Sequence, residues 1–300
     1  MSTPDSEMTI GALSPWFGGK RTLAPVIIEE IGPHRAYWEV FCGSMAVLLA
    51  KPPCSMETVN DLHGDLINLS QIVQDGDGGP KLYRRLRRAM NSQVEFEVAR
   101  EEVLSEKKWE SGLSADRAFA YFICSWQGMN GVAGTATNNM GFARRFTKNG
   151  GHAAKRFAGA VDSIPAWRRR LRHVSILSSD GIELCEKIED ADGVVIYADP
   201  PYLVKGCSYL HDFDWLAHRR LAKALCRFKK TRVVVSYYAH PDLAVLYPGW
   251  TIRDCMMTKS LVSQGRRDKQ NDTASPEILL INGPSLASPP ATAGENGGRA

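Results

Sequence analysis

Several features are missing from this 300-residue chain, and each absence excludes a class of protein. There is no CxxC pair. The seven cysteines (Cys42, Cys54, Cys124, Cys185, Cys207, Cys226 and Cys255) are odd in number and scattered, so neither a disulfide framework nor a zinc site of the usual spacing fits. They read as small buried hydrophobes in a reducing cytoplasm. No run approaches the roughly 20 apolar residues needed to span a bilayer, which excludes an integral helical membrane protein. The start, MSTPDSEMTIGAL, has no positive region ahead of an apolar stretch, so no secretory leader is expected. Both G-x-G-x-x-G and G-x-x-x-x-G-K-[ST] are lacking, which argues against a dehydrogenase and a P-loop nucleotide hydrolase. A soluble cytoplasmic protein is expected.

What is present is an ordinary globular composition, 44% hydrophobic and 23% charged. The length suits two domains or one core with a large insertion. Short β-like runs alternate with runs of helical spacing. The pattern predicts strands over 36–40, 56–60, 174–177, 193–198, 232–236, 251–256 and 277–282. It predicts helices over 20–31, 44–51, 64–74, 181–188 and 214–228. Runs such as VVIYA and RVVVSYY are apolar on both faces, as in a parallel sheet covered by helices on each side. The alternation implies right-handed βαβ units and a doubly wound α/β sheet.

Residues 75–172 interrupt that alternation, so the sheet domain is expected over 10–74 and 173–282 with a helical insertion between its second and third strands. The insertion opens on a breaker cluster, QDGDGGP, followed by a charged helical stretch and a second helical run over 116–126. The net charge of +4 is unevenly spread. Between residues 140 and 175 nine basic residues (Arg144, Arg145, Lys148, Lys155, Arg156, Arg168, Arg169, Arg170 and Arg172) face one acid, Asp162. The rest of the chain is therefore net acidic. This stretch is also rich in Gly, Asn and Thr and reads as loop; it suits nucleic acid phosphates or a solvated surface. Residues 1–9 and 283–300 are small, polar and rich in Pro and Gly, and are expected to be disordered.

The strongest chemical signal is Asp199-Pro200-Pro201-Tyr202, directly after the apolar strand GVVIYA. The two prolines stiffen the turn and cannot donate ladder hydrogen bonds. The carboxyl edge of an open α/β sheet is where ligands bind. There an aromatic ring can stack on a planar base while a carboxylate and a backbone carbonyl hold its exocyclic amine. A second signal, Glu39-Val40-Phe41-Cys42-Gly43-Ser44, joins the first strand to a helix with small residues that admit a ligand to the backbone. A third, Asn60-Asp61, ends the second strand, where dinucleotide folds place an acid that accepts from ribose hydroxyls. A fourth, Trp16-Phe17-Gly18-Gly19-Lys20, is a glycine loop that carries a cation.

Taken in order, WFGGK, EVFCGS, NDLHGDL, SSD (178–180) and DPPY resemble the motifs of the alpha-group DNA adenine-N6 methyltransferases, over about residues 14–282. The resemblance also takes in Ser236-Tyr237-Tyr238 and the final strand PEILLIN. It implies a seven-stranded, mostly parallel sheet ending in a reversed hairpin, with the insertion as target-recognition part. It implies S-adenosylmethionine as cofactor, no metal, and double-stranded DNA as partner. Residue by residue, it implies that Trp16, Lys20, Phe41, Gly43, Asp61, Asp180 and Asp199 form the cofactor pocket. Gly43 would lie against the methionine part, Asp61 at the ribose and Asp180 at the adenine amine. Asp199, Pro200, Pro201 and Tyr202 would hold the target base, with the Tyr202 ring stacked on it. Where the family's loop carries its second glycine this chain has Met45, expected to lie in a helix that has already begun.

The reading that follows is transfer of a methyl group to N6 of a flipped adenine in a specific duplex site, with Arg144, Arg145, Lys148, Lys155 and Arg156 on the DNA. Alternatives are methylation of another planar amine (cytosine N4, RNA adenine or a protein glutamine), or a DNA-binding protein with weakened catalysis. A monomer in solution, with or without a cognate restriction enzyme, is expected.

Overall fold

In the computed structural model of the chain, the residues described are 12–15, 20–105, 112–128, 141–143, 153–203, 213–258 and 274–287, without the side chains of 256–258 and 274–276. Seven strands form one sheet: β1 (Ala36–Glu39), β2 (Met56–Asn60), β3 (Val174–Leu177), β4 (Val194–Ala198), β5 (Arg232–Tyr238), β6 (Thr251–Thr258) and β7 (Ala274–Ile281). Their spatial order is β3-β2-β1-β4-β5-β7-β6. The pairs joining β1 to β5 are parallel, and β7 runs antiparallel to both of its neighbours. This is the doubly wound sheet that the alternation predicts. Chain order reverses between β1 and β4, so the carboxyl ends of those two strands flank a crevice.

The apolar strands sort their side chains to two cores. On β4, Val195 and Tyr197 face one core while Ile196 and Ala198 face the other. The first core holds α1 (Ala24–Ile31), α2 (Ala46–Ala50) and α3 (Gly64–Gln74), with α4 (Gly78–Leu86), α5 (Gln93–Leu104), α6 (Ala115–Gln127) and α7 (Ala153–Leu171) beyond them. The second holds α8 (Gly181–Lys187), α9 (Trp215–Cys226) and α10 (Leu243–Leu246). The insertion therefore shares a hydrophobic core with the sheet. No helix among the described residues is long and apolar enough to cross a membrane. Six of the seven cysteines are described, and all six are free.

Three expectations are corrected. The basic stretch read as loop is helix from residue 153 on, where α7 runs for 19 residues, while residues 144–152 of it lie outside the described residues. Its buried positions Phe157, Ala160, Val161, Ile164, Trp167 and Leu171 recur at helical spacing, a period that the dense charge between them obscures. The breaker cluster at 74–80 does not exclude helix either, since α4 starts within it at Gly78. Finally, the tail is held at its beginning. Fully buried Glu30 accepts from Ser285 Oγ (2.5 Å) and Leu286 N (3.0 Å), and pairs with Arg232 (3.1 Å) and Arg253 (2.7 Å). Burial alone would raise the Glu30 pKa, but these donors outweigh it and hold the carboxyl below its usual range. Residues 1–9 and 288–300, also expected to be disordered, lie outside the described residues.

The basic residues that are described also do not form one surface. Arg170 pairs with buried Glu57 at 2.5 Å and donates to Leu48 O, and Lys51 reaches the same carboxylate at 2.5 Å. Arg168 donates to Asp75 O. These arginines tie the end of α7 to the amino edge of the sheet, since Gln74 bonds Leu171 O and Val174 O just where β3 begins.

Candidate active site at the carboxyl edge of the sheet

The loops after β1, β2, β3 and β4 surround a cavity of about 300 Å³. Side chains at the carboxyl end of β2 fix its walls. Asn60 donates from Nδ2 to Val40 O (3.0 Å) and Ser179 O (2.8 Å), and its Oδ1 accepts from Ser179 N at 2.9 Å. Asp61 Oδ2 accepts from Gly43 N at 2.8 Å, while Oδ1 accepts from His63 N at 2.9 Å. Two adjacent residues thus bind three loops into one rim.

Asp180 caps α8, its Oδ1 accepting from Ile182 N and Glu183 N. That leaves Oδ2 as an acceptor on a residue that lines the cavity. The next residue has to be glycine: a Cβ on Gly181 would lie 2.8 Å from the Phe41 ring and 2.9 Å from Val40 O. Phe41 meets Phe213 edge-on at 5.9 Å between centroids. Phe41, Gly43, Asp61, Asp180, Asp199, Pro201 and Lys20 all line the cavity, so the structure gathers residues from Lys20 to Pro201. Pro200 is buried and is not among the lining residues.

Met45 departs from expectation. It has φ 57° and ψ 32°, the left-handed region, and α2 begins only at the next residue. It is the one non-glycine residue with positive φ among those described, and its side chain is wholly buried. The chain turns sharply from β1 around the cavity through Gly43, itself at φ 44°. That turn demands the glycine-like conformation, which a side chain adopts only under strain.

At the mouth of the cavity Asp199 is the centre of a polar cluster. Its Oδ1 accepts from Ser236 Oγ at 2.7 Å, and Ser236 Oγ in turn lies 3.0 Å from the Tyr197 hydroxyl. Its Oδ2 pairs with Lys20 Nζ at 2.8 Å. Lys20 also pairs with Glu277 Oε1 at 3.1 Å. The Tyr202 hydroxyl donates to Glu277 Oε1 at 2.6 Å and more weakly to Asp199 Oδ1 at 3.3 Å. Burial alone would lower the Lys20 pKa, but Asp199 and Glu277 more than offset it and hold the ammonium above the usual lysine range. Burial, reinforced by the same two carboxylates, pushes the Tyr202 phenol far up. The Tyr202 ring is only 7% exposed, with Tyr238 at 4.3 Å between centroids and Lys20 Nζ 5.1 Å from its own centroid.

Glu39, part of the sequence motif but with no role assigned by it, forms part of the floor. Burial raises its carboxyl to about 8; the Tyr37 hydroxyl (3.0 Å) and Leu48 N (3.1 Å) oppose that rise, and Asp199 adds to it. Glu277 is not among the sequence-predicted site residues either. Its signal in the sequence is an acid opening an otherwise apolar strand, PEILLIN. Trp16, Arg144, Arg145 and Lys148 lie outside the described residues. Lys155 and Arg156 are exposed on the first turn of α7. They are roughly 20 Å along the helix axis from the arginines at the amino edge.

The model of one protein family, the D12 class N6 adenine-specific DNA methyltransferases, matches residues 16–270. No curated protein matches the chain. Among solved structures it is similar to the rRNA methyltransferase AviRa from Streptomyces viridochromogenes, at 11% identity over 94% of this chain and 87% of that one, with a TM-score of 0.35. It is also similar to a Thermoplasma acidophilum protein assigned to the methyltransferases, at 17% identity over 42% of this chain and 52% of that one, TM-score 0.22. A third, SMU.472, assigned to the methyltransferases and complexed with SAH, shares 12% identity over 66% of this chain and 54% of that one, TM-score 0.25.

Proposed function

Because the chain belongs to the D12 class N6 adenine-specific DNA methyltransferases, we propose that its cavity holds S-adenosylmethionine and that Asp199 seats the adenine amine at the cavity mouth. The residues present fit that cofactor. Ribose hydroxyls and an adenine amine are donors, and Asp61 and Asp180 Oδ2 are acceptors held in place by backbone N–H groups. A sulfonium is a cation, and the carboxylate of Asp199 lies on the same cavity. The volume is at the small end of the range for ligand pockets. Gly43 would admit the methionine part, Phe41 would flank the adenine, and Lys20 would close the near side.

When bound, S-adenosylmethionine supplies a methyl group made electrophilic by its positively charged sulfur. The protein's part is positioning and electrostatics. An adenine N6 is a weak nucleophile because its lone pair is delocalised into the ring. Asp199 and the Pro200 carbonyl accept its two N–H bonds, which draws the nitrogen toward tetrahedral geometry and turns its lone pair to the cavity. The methylated nitrogen carries a positive charge and a surplus proton, which Asp199 Oδ2 is placed to take. Inside a duplex the amine cannot reach this position, so the base is flipped out and stacked on Tyr202. The insertion over 75–172 serves target recognition on double-stranded DNA in the cytoplasm. The exposed Lys155 and Arg156 support that role, with Arg144, Arg145 and Lys148 beside them in sequence.

The observation that carries this reading is the Asp199 carboxylate, fixed on one oxygen by Ser236 and open to exchange on the other. Purified protein, labelled cofactor and duplex DNA, digested to nucleosides and resolved by mass spectrometry, test it. N6-methyladenine is the expected product. Asp199→Ala should lower turnover by about 100-fold or more in protein that remains folded, with Glu277 still paired to Lys20, the scale for loss of a preorganised polar group. Turnover within a few-fold of the parent removes Asp199 from the reaction.

A further inference from the structure

Lys20 occupies the place the substrate amine needs. Its ammonium lies 2.8 Å from Asp199 Oδ2, so it takes the acceptor the amine would use. It also draws electron density from that oxygen. For the amine to bind, Lys20 has to leave, and a lysine only 5% exposed cannot be left without a counter-charge. A second carboxylate is already in contact with it: Glu277 Oε1 at 3.1 Å. The same oxygen holds the Tyr202 hydroxyl at 2.6 Å. The sheet explains how Glu277 arrives there. In the antiparallel β5–β7 pair it stands opposite Tyr238, whose ring packs on Tyr202.

We propose that Glu277 is the positioning residue of the methyl-accepting site: it anchors the Tyr202 ring through its hydroxyl and carries Lys20 when Lys20 gives up Asp199 to the incoming amine. Two carboxylates share one lysine, so the exchange leaves the buried cation paired at every stage. Asp199 gains a free acceptor without any change in the cluster's total charge.

The inference rests on Asp199 as the seat of the amine, and the experiment separates the two. Glu277→Gln keeps an acceptor for the Tyr202 hydroxyl and removes the charge; Glu277→Asp keeps the charge on a shorter arm. In single-turnover methyl transfer at saturating DNA and cofactor, Glu277→Gln should be slower by roughly tenfold, within the range by which contacting residues couple. Its dissociation constants for DNA and cofactor should stay within about twofold of the parent. Glu277→Asp should recover most of the rate. When Lys20 is already Met, the Gln substitution should cost little more, because no cation remains to compete for Asp199. A Gln variant as fast as the parent, or faster than the Asp variant, overturns the proposal, as does an equal cost with and without Lys20. If Asp199→Ala is itself active, the seat of the amine is wrong. If Asp199→Ala is inactive and the Glu277 variants are normal, only the role of Glu277 falls.

Discussion

Asp61 and Gly43, eighteen residues apart, meet across the rim of the cavity, the carboxylate accepting the glycine N–H at 2.8 Å. The other oxygen accepts the His63 amide, so the carboxylate is rigid before any ligand arrives. Preorganised acceptors bind donors at a reduced entropic cost. Asp61→Ala should therefore weaken S-adenosylmethionine binding by about 10- to 100-fold, the equivalent of roughly 1.5–3 kcal/mol for a charge-assisted hydrogen bond. Calorimetric titration with the cofactor measures it. An unchanged dissociation constant would remove Asp61 from the pocket.

Met45 gives an unusual ordering of two substitutions. In a helix Gly is less stable than Ala by up to about 1 kcal/mol. At Met45 the φ of 57° reverses that preference, since only Gly takes the left-handed region freely. Both substitutions lose the buried side chain beyond Cβ, at a cost of about 2–5 kcal/mol, and Gly loses the Cβ as well. Met45→Gly should nonetheless be more stable than Met45→Ala by about 1 kcal/mol. Urea denaturation of the two variants decides it, and an Ala variant at least as stable as the Gly variant would mean that the turn is not strained.

Glu39 makes the stability of the protein depend on pH near neutrality. Its carboxyl titrates at about 8 in the folded chain, chiefly through burial, against 4.5 when unfolded. The folded state thus binds the proton more tightly. The stabilisation is complete below about pH 4.5 and is lost as pH rises through about 8. Glu39→Gln mimics the protonated acid, since the Tyr37 hydroxyl and the Leu48 amide both donate to a single oxygen, Oε2. The variant should match the parent near pH 5 and exceed it by a few kcal/mol at pH 9, because each tenfold difference in proton affinity between the folded and unfolded chain is worth about 1.4 kcal/mol. Stability curves that run parallel from pH 5 to 9 would show that Glu39 is not the titrating group.

The carboxyl-edge motifs were legible because each is local: a strand, then a turn whose residues reach the cavity within a few positions. Asp199, Asp61, Gly43 and Asp180 needed only the ends of four strands to be located. Glu277 was hidden because its contact with Tyr202 spans 75 residues and exists only through the reversed pairing of β7 with β5. The conformation of Met45 was hidden for a different reason. Its apolar side chain fits the helical period that follows, while the turn, which no period reports, dictates its φ. The helix α7 was readable in principle, since six buried residues keep its period, but charge and a flanking Gly-rich segment favoured loop.

The division of the basic residues along α7 leads to the last prediction. Arg169 and Arg172 are exposed at the amino edge, where α7 passes into β3. The cavity opens at the opposite, carboxyl edge, so DNA presenting a base to Asp199 should lie away from these two arginines. Lys155 and Arg156 are separated from them by most of the length of the helix. Each duplex phosphate that a variant no longer neutralises should reduce the slope of log K against log salt by about 0.9. Replacing Lys155 and Arg156 with Ala should therefore flatten the slope by up to about 1.8, whereas replacing Arg169 and Arg172 should leave it unchanged. Fluorescence anisotropy with a labelled duplex over a salt series measures both. The variants have the same nominal charge change, so a purely long-range effect of net charge would move both slopes alike. If the Arg169 and Arg172 pair flattens the slope as much, the duplex reaches the amino edge and the proposed approach to Asp199 is wrong.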